Sequence, residues 1–142
     1  MEVLKNPGSE KNILFVGEGN FSFSRNLIEN WDVKSLYIMA TCYESNPCEF
    51  ARENIKALET YGVEVIMNFD ATKINEQTEK EFDFVIFMFP HIGGKMKINK
   101  NRELLKQFGM SVSKSLKSDS SKVIVTLCDG QGGTSFDTGF KI

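Results

Sequence analysis

Five short apolar runs punctuate the chain, with polar or amphipathic segments between them. The first is Ile13 to Val16, which ends at Gly17. Leu36 to Cys42, Val63 to Phe69, Phe82 to Phe89 and Lys122 to Cys128 follow in order. The first, continuously apolar, predicts a strand buried on both faces, and the other four are further strand candidates. The segments between them change period. Phe23, Leu27 and Ile28 recur at helical spacing within Phe21 to Asn30. Leu104, Leu105, Phe108, Val112 and Leu116 form an apolar stripe along Asn99 to Lys117. A third helix has a marked start and end. Asn46 reads as its cap, Pro47 as its first residue and Glu49 as a capping-box carboxylate. Phe50, Ile55 and Leu58 supply its buried side, and Gly62 ends it. A polar stretch from Thr72 to Glu81 stands where a full helix is expected.

Strands alternating with helices predict an α/β fold. The sheet should be mostly parallel, joined by right-handed crossovers and covered on both faces. The expected organisation is one domain over residues 11–142 behind a flexible lead-in of residues 1–10. There is no internal repeat.

Composition narrows the function classes. The chain is 142 residues long with a formal charge of -2, so a nucleic-acid contact must come from a local patch. Its three cysteines, Cys42, Cys48 and Cys128, show no C-x-x-C spacing, and His91 is the single histidine. A zinc site is therefore not expected. Free thiols and a polar N-terminus without a secretory core suggest an intracellular protein. No apolar run reaches the length that spans a bilayer. The P-loop pattern G-x-x-x-x-G-K-[ST] does not occur.

In an open parallel sheet, ligands bind at the carboxyl ends of the strands, near the point where strand order reverses. Polar and glycine residues gather at each of those ends here: Gly17-Glu18-Gly19-Asn20-Phe21-Ser22, Tyr43-Glu44, Asp70-Ala71, Phe89-Pro90-His91 and Asp129-Gly130. The first is a G-x-G turn between a buried strand and a helix. Glycine there lets the backbone approach a ligand, and the helix N-terminus offers N–H donors. The third position of a dinucleotide fingerprint is Ser22 rather than Gly or Ala, which weakens a pyrophosphate reading. Glu44 suits the ribose hydroxyls, or is a solvated carboxylate ahead of a helix. Asp70 suits an adenine amino group, or caps its own turn. His91 suits orientation or deprotonation of a substrate, or is a plain loop residue. Lys95, Lys97, Lys100 and Arg102 crowd near a helix N-terminus that disfavours them, which suggests phosphate contacts rather than helix stability. Phe21, Tyr43 and Phe89 are candidates to stack on a base.

Val16-Gly17-Glu18-Gly19-Asn20-Phe21-Ser22-Phe23-Ser24, Phe89-Pro90-His91-Ile92-Gly93-Gly94-Lys95 and Asn101-Arg102-Glu103-Leu104-Leu105 together resemble the ribosomal RNA (uridine-N3) methyltransferase-like domain family. The Gly130-Gln131-Gly132-Gly133-Thr134 tail is similar to the branch of ferredoxin-fold anticodon-binding domain-containing protein 1. The resemblance runs from about Lys11 to Thr134. It implies a Rossmann-like class I methyltransferase fold that uses S-adenosylmethionine. Gly17, Glu18, Gly19, Asn20, Phe21, Ser22, Tyr43, Glu44, Asp70 and Ala71 would bind the cofactor. Phe89, Pro90 and His91 would stand beside the methyl group. The implied partner is RNA, most directly ribosomal, and the implied place is the nucleolus or cytoplasm. The last two strands of such folds have no counterpart here, so the domain is expected to be shortened or C-terminally incomplete. Two other readings stay open: a non-catalytic module of the same fold that binds RNA or protein, and a nucleotide-dependent oxidoreductase.

Overall fold

The computed structural model describes residues 10–88 and 98–126. Five strands form one sheet: β1 (Lys11–Val16), β2 (Leu36–Thr41), β3 (Glu64–Ile66), β4 (Phe84–Met88) and β5 (Lys122–Thr126). Every pairing is parallel, and the strand order is β3-β2-β1-β4-β5. The chain steps outward from β1 to β3 and then crosses back to place β4 on the other side of β1. Strand order therefore reverses between β1 and β4, which puts the expected ligand crevice at their carboxyl ends.

Strand alternation splits the core into two layers. Ile13 and Phe15 of β1 pack with Ile38 and Ala40 of β2 under α1 (Ser22–Asn30) and α2 (Glu49–Thr60). Leu14 and Val16 face the opposite way. They join Met39, Val85 and Phe87 under α3 (Ile74–Gln77) and α4 (Ile98–Val112), through Ile74, Phe108 and Val112. At the amino end of the sheet Asp83 is the brace. It accepts from the Asn12 N–H at 2.8 Å, and Lys117 and Lys11 reach it at 3.5 and 3.9 Å.

Several element boundaries differ from the sequence expectation. The α2 helix opens at Glu49 behind Cys48, with no side-chain cap, so Asn46-Pro47-Glu49 is not a capping box. The chain ahead of it is pulled across to the end of β3, where the Asn68 N–H donates to the Glu44 carbonyl at 2.9 Å. The later start also shifts which side is buried. Ala51 and Leu58, with Ile55, face the core, while Phe50 is 73% exposed. Gly62 does end this helix. Its N–H bonds the Glu59 carbonyl and the Val63 N–H bonds the Leu58 carbonyl, and its φ of 84° is one that glycine adopts without strain.

Strand β3 is three residues long rather than seven, because the chain turns at Asn68, whose φ is 57°. The polar stretch holds only the short α3. Helix α4 stops at Val112 and tightens into a 3-10 turn, Ser113–Ser115, instead of running to Lys117. A bridge causes this. Phe82 pairs with Leu116, accepting from the Lys117 N–H and donating to the Ser115 carbonyl. The same bridge takes Phe82 out of β4.

Candidate functional site

The strand ends at the reversal are tied to one another before any ligand is considered. The Glu18 N–H donates to the Thr41 carbonyl at 3.1 Å, which carries the β1–β2 ladder past the end of β1. The Thr41 hydroxyl donates back to the Phe15 carbonyl at 2.8 Å. The Cys42 N–H bonds the Ile66 carbonyl, and the Phe69 N–H bonds the Cys42 carbonyl. This floor places Gly17, Glu18, Tyr43, Glu44, Asp70 and Ala71 along one edge of the sheet.

The two glycines of the first turn have different reasons to be glycine. Gly17 has a φ of 73°, and a Cβ there would lie 2.3 Å from Cε1 of Phe87. That ring is buried and stacks edge-on against Phe108 with centroids 4.8 Å apart. The close approach that excludes a side chain at Gly17 is thus to the protein's own β4. Among the described residues Gly19 has no atom within 4 Å of where a Cβ would sit, and its φ lies outside the left-handed region. Nothing in the fold around it requires a missing side chain.

The first turn of α1 is capped by neighbours rather than by its own cap residue. Phe21 occupies the cap position in the left-handed region, with φ 66° and no side-chain cap bond. A bulky residue is held there only when its surroundings over-determine it. Phe21 is fully buried, and that packing supplies the constraint. It is therefore core and cannot stack on a base. Asn20 Oδ1 accepts the Ser22 N–H at 3.0 Å. The Ser24 hydroxyl donates to the Phe21 carbonyl at 3.3 Å, and the Glu18 carboxyl is buried beside this turn. The Ser22 N–H at the start of the helix is thus engaged within the protein.

Burial pushes the Glu18 carboxyl up from 4.5 to about 7, and the Ser24 hydrogen bonds hold it from going higher. The carboxyl is a buried group that changes charge near neutral pH, at the point where strand order reverses. Cys42 is a buried thiol whose pKa is raised by its burial, so it is not an activated nucleophile.

The remaining candidates separate clearly. Tyr43 and Glu44 are exposed at the end of β2. Asp70 caps its own turn, with Oδ1 taking both the Thr72 N–H at 2.9 Å and the Thr72 hydroxyl at 2.7 Å. Ala71 is packed in the core beneath it. Lys100 and Arg102 are exposed in the first turns of α4. Phe89, Pro90, His91, Lys95, Lys97 and the tail at 129–134 lie outside the described residues.

One contributor escaped the sequence reading. Asn54 of α2 donates from Nδ2 to the Asn20 carbonyl at 2.8 Å and accepts at Oδ1 from Arg25 at 3.0 Å. It ties the glycine turn to α1 and α2 together. No local signal marks it, because its partner stands 34 residues away. Among the described residues no group of three or more His, Cys, Asp and Glu could hold a metal. No helix among them is long and apolar enough to cross a membrane.

The family profile described as rRNA (uridine-N3-)-methyltransferase BTM5-like matches residues 14–139. The chain belongs to this family. It is 42% identical over 135 residues to human ferredoxin-fold anticodon-binding domain-containing protein 1, covering 89% of this chain and 21% of that protein. The chain thus spans about a fifth of that relative. Among solved structures it is similar to TrmN from Thermus thermophilus, with a TM-score of 0.62 at 12% identity, covering 82% of this chain and 32% of that one. It is also similar to an S-adenosylmethionine-dependent methyltransferase from Clostridium acetobutylicum, with a TM-score of 0.58 at 15% identity, covering 84% of this chain and 44% of that one. The expected Rossmann-like methyltransferase fold is therefore the fold observed.

Proposed function

We propose that the protein is an S-adenosylmethionine-dependent RNA methyltransferase acting on uridine N3, with ribosomal RNA as its substrate. The observation that carries this reading is the contrast between Gly17 and Gly19. The fold explains the first glycine and leaves open space at the second, at the carboxyl end of β1 beside the reversal. A cofactor lying over Gly19 accounts for that space.

The residues present fit this cofactor. The Gly19 and Asn20 backbone would receive its amino-acid end. The buried Glu18 would hold negative potential beneath a cationic group while its hydrogen bonds cap α1. Glu44 and Tyr43 would meet the ribose, and Asp70 with Ala71 the adenine side. Gly17, Phe21 and Ser22 would hold the turn in shape.

S-adenosylmethionine supplies an electrophilic methyl group on a sulfonium. With it bound, the part of the protein would be to hold uracil N3 in line with that methyl group and to give the N3 proton a place to go. Positioning by the protein can contribute as much as about 7–11 kcal/mol to such a step. His91 would orient the uracil or take the N3 proton, with Phe89 and Pro90 walling the site. Lys95, Lys97, Lys100 and Arg102 would hold RNA phosphates. The reading treats residues 11–142 as one methyltransferase domain behind a lead-in of residues 1–10, working in the nucleolus or cytoplasm.

Calorimetric titration with S-adenosylmethionine, with NADH as the control, tests the cofactor. Saturable binding that is lost in a folded Gly19→Asp variant supports the site. No binding by the folded parent chain refutes it. Transfer of labelled methyl to ribosomal RNA, abolished in His91→Ala, tests the chemistry. The rival reading is a non-catalytic module of the same fold. It is favoured by the engagement of the Ser22 N–H at the α1 start with Asn20, and it predicts RNA binding without cofactor binding.

A further inference from the structure

Charge is distributed unevenly over this fold. From residue 98 to residue 117 the chain carries Lys100, Arg102, Lys106, Lys114 and Lys117 against the single carboxylate of Glu103. That stretch is +4 in a chain whose total is -2, so the rest of the chain carries -6. Lys117 is committed to the Asp83 brace at 3.5 Å. Lys100, Arg102, Lys106 and Lys114 lie on the outer side of α4 and its 3-10 turn and are exposed to solvent. Asn101, Leu105, Phe108 and Val112 occupy the buried side of the same helix. Glu103 accepts from Gln107 at 2.8 Å, a bond that runs along the helix.

Helix stability does not account for the cations at the start of the helix. The first turn of α4 contains no acidic residue, although the helix dipole favours one there. The placement of α4 gives the cations a direction. A helix that joins two parallel neighbouring strands starts at the carboxyl end of the first and runs back to the amino end of the second. Lys100 and Arg102 therefore lie nearest the reversal point, and Lys106 and Lys114 step away from it. Lys100 and Lys114 are separated by about 20 Å along the axis at 1.5 Å per residue. That length spans several phosphates of an extended single strand.

We infer that the outer face of α4, extended through Lys106 to Lys114, is the docking track for the phosphate backbone of the RNA whose base is methylated. The inference rests on the RNA reading above and adds a path: the strand leaves the site along α4, on the face of the sheet opposite α1 and α2. The partner is identified by charge complementarity to a row of spaced cations.

The test measures fluorescence anisotropy of a labelled uridine oligonucleotide of about 20 nucleotides on the full chain across a salt series. Lys106→Glu with Lys114→Glu removes two cations from the end of the track remote from the cofactor turn. The dissociation constant should rise about tenfold or more at low salt. The slope of log affinity against log salt should shrink by about 1.4, from roughly 0.7 per phosphate contact on single strands. Lys106→Ala with Lys114→Ala should move both quantities in the same direction, and serves if the reversed pair does not fold. Arg52→Glu with Lys56→Glu changes net charge equally on α2, on the opposite face, and should leave binding near the parent value. Equal loss in the α2 pair would reduce the effect to net charge and overturn the track. So would an unchanged slope in the α4 pairs, failure of the parent to bind the oligonucleotide, or tighter binding of polyglutamate than of RNA. If the parent binds the oligonucleotide through α4 but takes no S-adenosylmethionine, the methyltransferase reading fails and the docking surface stands.

Discussion

The glycine turn with α1 and the outer face of α4 are both polar, and both begin at the carboxyl edge of the sheet. They differ in what their polar groups touch. Around the turn, Asn20 bonds Ser22 and receives Asn54, Phe21 receives the Ser24 hydroxyl, and Arg25 bridges Glu29 and Asn54. On α4 the cations Lys100, Lys106 and Lys114 stand exposed along the helix, and a neighbouring carboxylate, Glu103, bonds Gln107. The first region uses its polar groups to fix a shape. The second holds spaced cations on solvent-exposed positions of the helix. Residues that are internally satisfied point to pre-organisation of the space they enclose, which here lies over Gly19.

The sharpest way to break this comparison is to exchange the roles of the two glycines. Gly17→Ala places a Cβ 2.3 Å from a wedged ring and at a φ of 73°. Overpacking and left-handed strain together should cost about 3 kcal/mol or more, lowering the melting temperature by about 10 °C. Gly19→Ala should cost less than about 0.5 kcal/mol, because it meets open space. Thermal unfolding followed by circular dichroism separates the two. Equal losses would show that Gly19 is also a packing glycine, and the argument for a ligand above it would fall.

A smaller effect concerns the carboxylate under the turn. The Glu18 carboxyl is raised from 4.5 to about 7 in the fold. Between those values the folded chain holds a proton that the unfolded chain has released. Its contribution to stability is fully present below about pH 4.5 and is lost as pH rises through about 7. The whole change is at most about 3 kcal/mol. Glu18→Gln should flatten the stability curve between pH 5 and pH 7.5 and be the more stable chain at the upper end. Chemical denaturation at the two pH values measures this. A parent whose stability does not fall over the interval would show that the carboxyl is solvated and that the turn is not closed.

The sheet was legible because its signal is local. Short apolar runs ending in glycine or polar pairs give strands, and all five strands fall where the runs lie, with the edge strands β3 and β5 the less buried. The errors arose where a distant residue competed with local chemistry. Asn46 and Pro47 form a good helix start in isolation, but the backbone there is tied to Asn68. Leu116 continues the helical stripe, but it pairs with Phe82. The site shows the same division. Gly17 and Gly19 look alike in sequence, and Phe87, seventy residues away, distinguishes them. Asp70 was readable either as a ligand group or as a cap, and its bonds to Thr72 show the cap. Phe21 looked available for stacking, but a buried left-handed residue belongs to the packing. Spacing reports which residues stand at a strand end. Partners decide which of them remain available.

Asn54 refines that last point with the smallest effect. Asn54→Asp keeps the acceptor that Arg25 uses, removes the Nδ2 donor to the Asn20 carbonyl and sets a carboxylate oxygen against that carbonyl. One hydrogen bond on a half-exposed surface is worth about 1 kcal/mol, so the fold should survive with a modestly lower melting temperature. The consequence should concentrate at the turn. Amide hydrogen exchange at Gly19, Asn20 and Phe21 should quicken, while exchange in β1 and α4 stays at the parent rate. S-adenosylmethionine affinity should fall about fivefold, because a looser turn must be ordered before it can bind. A turn whose exchange does not change would show that Phe21 alone holds it, through its buried ring. The internal bonds around Asn20 would then be a by-product of the packing rather than the source of the shape.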